Sequence, residues 1–305
     1  MIYFLENEQI DKQKWDKTVK NSDFSIVYAM SWYLDVVASG WSALVEDDYK
    51  TVMPLVSNSK MGIKYLYQPL FCQQLGVFGK DIDEEKVIYF LKNIPKQFRF
   101  AEMMLNEKNL LKKYNVKNLT NIVLPLSGDI EKIRKSYSTN AKRNIKKALK
   151  SNISLHKGFD IEKIIMLFKE NRGASLKKSQ EFYNKLSLLA FMLKHRGFAT
   201  TYSALNAQNE IIAGILIIDF NNRAILLFSG ANAEAKENGA MSFLLDEIIK
   251  EKLGATSIFD FEGSNDANLA RFYLSFGGEK KEYPFVRINK LPLPFRLLKG
   301  NGLKL

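Results

Sequence analysis

Cysteine and histidine are nearly missing from this chain of 305 residues: Cys72 stands alone, and His156 and His195 are far apart. One thiol excludes an internal disulfide and a cysteine-ligated metal, and two distant imidazoles give no zinc-site spacing. No metal is therefore expected, and a reducing, cytoplasmic location is. Long apolar runs are also missing. The longest, such as Ile211 to Ile218, have the length of a strand, against roughly 20 residues for a membrane-spanning helix. The first residues, Met1 to Glu8, lack a basic start and an apolar stretch, so no signal peptide is expected. Acidic residues are the scarcer charge, 33 against 45 lysines and arginines, for a net charge of +12. That balance favours anionic partners such as nucleic acid, a phosphorylated cofactor or an acidic membrane surface. A lysine-rich, merely solvated surface is the other reading. What is abundant is apolar side chain, 46% of the chain, enough for real cores and too much for disorder.

The pattern is clearest in the second half. Ala199–Leu205, Ile211–Phe220 and Arg223–Ser229 are predicted strands of an antiparallel meander, separated by Asn206–Asn209 and by Asn221-Asn222. Met241, Leu244, Leu245 and Ile248 recur at helical spacing, and the helix is expected to end near Leu253-Gly254. A short strand, Thr256–Phe261, a helix from Asn265 to Ser275 and a strand at Tyr283–Ile288 complete the half. The first half repeats the order: strands at Ser42–Val45, Lys50–Val56 and Ile63–Pro69, a turn at Ser57-Asn58-Ser59, a helix through Val87, Phe90 and Leu91, and a strand from Phe98 to Leu105. Between the halves, Asp129 to Ser151 reads as a basic helix or helix pair. Two helices follow, one through Ile161, Ile164, Ile165 and Phe168, the other through Phe182, Leu186, Leu189 and Leu193. His195 is expected to end the second of these helices, and His156 to lie at the surface. The tail, with Pro292, Pro294 and Gly300, is expected to be extended. The fold class is α/β, two related halves, each a mixed, mainly antiparallel sheet flanked by helices. The expected domains are 1–128 and 129–283, with 284–305 packed on the first.

Two segments draw attention as chemistry. Lys236-Glu237-Asn238-Gly239-Ala240-Met241 precedes a helix, where a glycine frees backbone N–H groups to meet an anion. The other runs from Asn265 through Tyr273 to Gly277-Gly278. The order meander, loop, helix, strand, then asparagine, helix, tyrosine and glycine resembles the GNAT acyltransferase superfamily. In that family a Gln/Arg-x-x-Gly-x-Gly/Ala loop binds the coenzyme A pyrophosphate. Lys236 and Gly239 correspond to its first residue and first glycine, and Met241 stands at the small last position. The family's tyrosine four residues before a glycine protonates the leaving thiolate, and Tyr273 and Gly277 share that spacing. The whole chain is similar to the Fem-like branch, which carries two GNAT halves. The likeness includes Trp15, Pro54-Leu55, Tyr67-Gln68-Pro69, the helix Asn140–Ala148, Asp260-Phe261-Glu262-Gly263 and Phe272…Phe276-Gly277-Gly278. Fem enzymes that use aminoacyl-tRNA place a lysine where this chain has Tyr273.

The resemblance implies an N-acyltransferase with an amine acceptor, a small molecule or a peptidoglycan precursor, held between the halves. Acyl-CoA, another acyl thioester or aminoacyl-tRNA is the donor. Acyl transfer to an amine needs a proton acceptor, an oxyanion donor and a proton donor. Tyr273 is the candidate proton donor, and Asp260 or Glu262, on alternate positions of one strand and hence one face, the acceptor. The amides of Gly230, Ala231 and Asn232 are candidates for the oxyanion, and Lys236, Asn238, Gly239 and Ala240 for the donor's anion. Tyr67, Gln68, Gln73 and Gln74 are candidates for an acceptor pocket. Lys142, Arg143, Lys146 and Lys147 are candidates for a polyanion such as tRNA or an anionic membrane surface. Each has a plainer reading: a relaxed loop at Gly239, a core phenol at Tyr273, carboxylates that orient a turn, glutamines at a polar sheet edge, a solvated basic face. A non-catalytic GNAT-like module that binds RNA or another polyanion stays open beside the enzyme, and the oligomeric state is open too.

Overall fold

The computed structural model describes residues 1–262, 265–293, 295–300 and 302–303. They fall into two compact units, Met1–Leu119 with Glu282–Leu305, and Thr120–Lys281. In the first unit β1 (Ile2–Leu5), β2 (Ser42–Glu46) and β3 (Thr51–Leu55) make an antiparallel sheet. Helices α1 (Lys12–Asn21) and α2 (Ser31–Val37) lie between β1 and β2 in the chain. Asp11 starts α1 by accepting the N–H groups of Gln13 and Lys14. Trp15, fully buried, donates its indole N–H to the Ala29 carbonyl at 2.8 Å and packs on Trp41. A second sheet contains β4 (Ser57–Lys60), β5 (Ile63–Leu66) and β6 (Phe98–Met104). β5 and β6 run parallel, which demands a crossover. Helix α3 (Glu84–Lys92) supplies it, capped by Asp83 and burying Val87, Ile88, Phe90 and Leu91.

Two expectations fail here. The three strands of the first half do not form one meander: β2 and β3 join β1, whereas β5 pairs with β4 and β6. Ser57-Asn58-Ser59 is strand β4 rather than a turn. All four of its residues are exposed, so no apolar alternation marks it.

In the second unit the elements follow as β7 (Lys117–Pro125), α4 (Ile130–Lys135), α5 (Thr139–Lys150), β8 (Ser154–Gly158) and α6 (Ile161–Phe168). α6 runs into a π-turn, Lys169–Gly173, and a last turn, α7 (Ala174–Leu176). Then come α8 (Gln180–His195), β9 (Ala199–Leu205), β10 (Ile211–Phe220), β11 (Arg223–Ala231), α9 (Ala233–Asn238), α10 (Ala240–Lys252), β12 (Ile258–Asp260) and α11 (Ala267–Leu274). Strand order is β7-β12-β11-β10-β9-β8. The predicted meander is β9 to β11, with Asn221 and Asn222 both at positive φ in its tight turn. The basic segment is a helix pair, α4 and α5, and β7 and β8 carry too little alternation to be read beforehand.

β11 and β12 are the parallel pair, joined through α10. One face of this sheet is covered by α10, where Phe243, Leu244, Leu245, Ile248 and Ile249 meet Ile215, Ile217, Ala224 and Leu226. α6 approaches the sheet at Gly214 and Gly230, which face each other across β10 and β11. A Cβ on Gly214 would lie 2.4 Å from Ile164 Cγ1, and one on Gly230 2.2 Å from the Ile164 carbonyl oxygen. The two glycines form the slot that lets this helix come so close.

The chain returns to the first unit as β13 (Glu279–Asn289), antiparallel to β6, with Arg287 on Glu102 at 2.7–2.8 Å. The tail is not simply extended, because Phe295–Leu298 form a short helix, α12. Pro294 and Gly263 lie outside the described residues.

Candidate active site

The parallel pair sets the geometry. β11 and β12 are in register only from Arg223/Ile258 to Ile225/Asp260; β12 then stops while β11 continues to Ala231. Such separated carboxyl ends are where open α/β sheets bind ligands. β11 is also bulged here. Leu216 faces Phe228 and Ile217 faces Leu226, so Leu227 is an extra residue with no opposite number.

Asp260 ends β12 with 1% of its side chain exposed. Its carboxylate accepts from Arg223 Nη1 at 2.5 Å, from Asn121 Nδ2 at 3.2 Å and from the Glu262 N–H at 2.8 Å. A carboxylate so bonded serves to anchor the strand end, buried in an ion pair with Arg223. Glu262 does not share a strand face with it. It lies past the strand end at φ +54°, a conformation that a residue with a Cβ adopts only when held. The hydrogen bond to Asp260 is part of that hold.

Tyr273 stands on α11, which Asp266 starts by accepting the N–H groups of Asn268 and Leu269. Those bonds, and then Arg172, hold the Asp266 carboxyl below its usual range. The Tyr273 ring stacks on Phe261, 4.9 Å between centroids and 23° between planes. Only 5% of the residue is exposed, and its hydroxyl has no hydrogen-bond partner among the described residues. Burial, and then the negative charge of Glu262, push the phenol well above its usual range, with Arg172 opposing. Arg172 comes from the π-turn after α6 and reaches Asp266 at 3.3 Å. Such turns interrupt helices often at functional sites. Arg172, Arg223 and Leu227 are the residues that sequence reasoning missed. An arginine inside the apolar Arg223–Ser229 run is a signal that could have been used; the π-turn and the bulge leave none.

The Gly239 segment is different from expectation. Lys236 to Asn238 belong to helix α9, not a loop, and Lys236 points to solvent. Gly239 ends α9 at φ +79°, giving its N–H to the Ala235 carbonyl, while the Ala240 N–H reaches Asn238 Oδ1 at 3.3 Å. A Cβ at Gly239 would stand 2.5 Å from the Asn144 carbonyl oxygen, so α5 abuts this corner. The Gly239 and Ala240 amides are thus bonded within the protein. Of the expected oxyanion donors, the Asn232 N–H donates to the Ile212 carbonyl at 2.9 Å and its side chain caps α9. Gly230 and Ala231 lie opposite Gly214 and Ala213 on β10, and the alternation of the antiparallel pair turns the Ala231 N–H away from β10.

In the first unit, Gln68 Nε2 donates to the Cys72 carbonyl at 2.8 Å and Gln68 Oε1 accepts the Met104 N–H at 3.0 Å. Gln74, fully buried, accepts the Glu107 N–H and donates to Gln73 Oε1. Tyr67 is half-buried beside Tyr65. Gln68 and Gln74 thus brace backbone, and Gln73 is tied to the Gln74 side chain. On α5, Lys142, Arg143, Lys146 and Lys147 are all exposed; Ala141 and Ala148 hold the opposite face to the core.

No known family profile matches the sequence, and no curated protein does. Solved structures do. FemX aligns over 95% of this chain and 98% of its own, with a TM-score of 0.67 at 12% identity. The fold is Fem-like. A tandem GNAT protein from the clavulanic acid biosynthesis pathway shares the Fem-like fold at a TM-score of 0.57, over 96% and 99% of the two chains and at 10% identity. The C-terminal domain of a putative lysylphosphatidylglycerol synthetase from Agrobacterium fabrum gives 0.56, over 96% and 95%, at 12% identity. At such identities the likeness is one of fold, and the chemistry has to be argued from the site.

Proposed function

We propose that the protein is an N-acyltransferase that moves an acyl or aminoacyl group to an amine at the parted ends of β11 and β12. The observation that carries this reading is the Tyr273 phenol, buried and without a hydrogen-bond partner among the described residues, in the fields of Glu262 and Arg172. A hydroxyl without an internal partner can give its hydrogen bond to a substrate oxygen. The likeness in fold to a tandem GNAT protein and to a putative lysylphosphatidylglycerol synthetase supports transfer chemistry.

In the proposed reaction the amine attacks the carbonyl carbon of the donor ester. The C–N bond forms and the C–O bond to the carrier breaks. Glu262 takes the amine proton, directly or through water. Tyr273 gives its proton to the leaving oxygen and regains one from solvent. The Leu227 amide at the bulge is the donor assigned to the oxyanion, and Asp260 with Arg223 keeps the strand end in place. Because the Gly239 and Ala240 amides are bonded within the protein, aminoacyl-tRNA is the donor assigned, its phosphates on Lys142, Arg143, Lys146 and Lys147. The acceptor is an amine, free or part of a peptidoglycan precursor.

The test is to incubate the purified chain with charged tRNA or acetyl-CoA and a set of amines, following products by mass and binding by melting temperature. Product and stabilisation with charged tRNA are expected. Product from acetyl-CoA alone would overturn the donor assignment. A second reading, a polyanion-binding module without catalysis, is favoured by the same two bonded amides and the exposed cations of α5. RNA binding that weakens steeply with salt, with no product from either donor, would establish it.

A further inference from the structure

A different surface, in the first unit, shares no residue with the candidate active site. Residues 57–74, 93–101 and 283–305 contain no aspartate or glutamate. Strands β4, β5, β6 and the end of β13 bring these stretches together. Lys64 on β5, Arg99 on β6 and Lys290 just beyond β13 line a cavity of about 600 Å³, together with Gly62, Ile63, Gln97 and Pro292. Lys64 faces Phe98 across the β5–β6 pair, and the Lys290 N–H donates to the Arg99 carbonyl at 2.8 Å. The three cations are thus fixed on neighbouring strands. All are exposed, and none has an ion-pair partner among the described residues. Arg287, further along β13, shows the alternative, being paired with Glu102. Like charges gathered without an acid are neutralised by anions from outside.

Two exposed apolar side chains adjoin the lining residues in the chain. Met61, at the tip of the β4–β5 hairpin and next to Gly62, is 82% exposed; Leu293, next to Pro292, is 70% exposed. A single exposed leucine is ordinary. Two protruding apolar side chains flanking a cationic, acid-free cavity are what an interface between charged headgroups and acyl chains accommodates. A nucleic acid would use the cations and leave Met61 and Leu293 in water.

We propose that this face docks on an anionic lipid bilayer, with Lys64, Arg99 and Lys290 at headgroup phosphates and Met61 and Leu293 in the acyl boundary. No helix among the described residues is long and apolar enough to cross a membrane, so the contact is peripheral. The test is co-sedimentation of the full chain with vesicles of phosphatidylcholine alone or mixed with phosphatidylglycerol. Binding to the anionic vesicles is expected to be at least about tenfold tighter and to fall with salt. The triple variant Lys64→Glu, Arg99→Glu, Lys290→Glu is expected to lose more than roughly 100-fold in partition, since removing the three cations alone costs about fivefold each. The neutral triple variant with glutamine at the same positions keeps the test usable should the reversal fail to fold. Met61→Trp is expected to shift its emission to the blue only with anionic vesicles. Lys146→Glu with Lys147→Glu on α5 is expected to leave vesicle binding unchanged. Equal binding to both vesicle types, full binding by the triple variants, or no emission shift would overturn the proposal. So would RNA binding lost in the triple variants without any vesicle binding.

Discussion

Each unit carries one pair of parallel strands joined by a helix: β5 and β6 through α3, β11 and β12 through α10. What lies beyond the strand ends differs. In the first unit the chain fills the space itself. Leu75 bridges to Leu105 in parallel, the Leu75 N–H donates to the Met104 carbonyl, and Gln68 ties the Cys72 carbonyl to the Met104 amide. In the second unit β12 stops short, and the end carries Glu262, Tyr273 and Arg172 around a phenol left unbonded. One topology serves as a braced scaffold in one place and as a candidate site in the other. The difference lies in which side chains follow the strands.

The largest expected effect tests the open end. Tyr273→Phe removes one oxygen and keeps the ring on Phe261, so it should lower turnover by about 10²–10⁴-fold with little change in substrate binding. Equal losses in kcat and in binding would make the phenol a contact rather than a proton donor. Asp260→Ala, beside it, should act on stability instead. It breaks the buried ion pair with Arg223, at a cost of about 3–5 kcal/mol read by denaturant unfolding. A stable Asp260→Ala protein without activity would return that carboxylate to the chemistry. In the braced end, Gln68→Ala should cost about 1–3 kcal/mol by leaving the Met104 amide unbonded, with unchanged rate constants. A raised KM for the amine would instead restore Gln68 to an acceptor pocket.

Under ordinary conditions the smallest effect is in pH, because it is absent below pH 10. Tyr137, Tyr202 and Tyr273, all in the second unit, have phenols raised above the ordinary 10.0, by burial first in each case. A raised pKa means that the folded state keeps its proton after the unfolded chain has lost it. Their contribution is therefore complete below pH 10 and declines above it, by about 1.4 kcal/mol per pH unit for each phenol. Hydrogen exchange should show the second unit opening first as pH rises past 10. Loss that begins in the first unit would break the comparison.

Some of this was legible in the residues and some was not, for definite reasons. The strands Ala199–Leu205 and Ile211–Phe220, and the helix of Leu244, Leu245 and Ile248, follow from apolar periodicity, a local property. The place of Tyr273 on a helix that follows the Asp260 strand was expected from order along the chain. Asp260 and Glu262 looked alike because alternation says nothing of where a strand ends; one became an anchor, the other a strained turn. Gly230 and Gly239 looked like ligand glycines, yet both serve close approach, to Ile164 and to Asn144.

By itself the sequence determined the α/β class, the second-half meander with its crossover helix, the basic α5 face and a tyrosine on the last helix of the second unit. Only the tertiary structure decided which polar groups are spent and which are left. Hydrogen-bond partners are chosen by residues distant in the chain, as Arg223 chooses Asp260 and Gln68 chooses Met104. A backbone amide or a carboxylate carries no mark of its partner until the fold brings the two together.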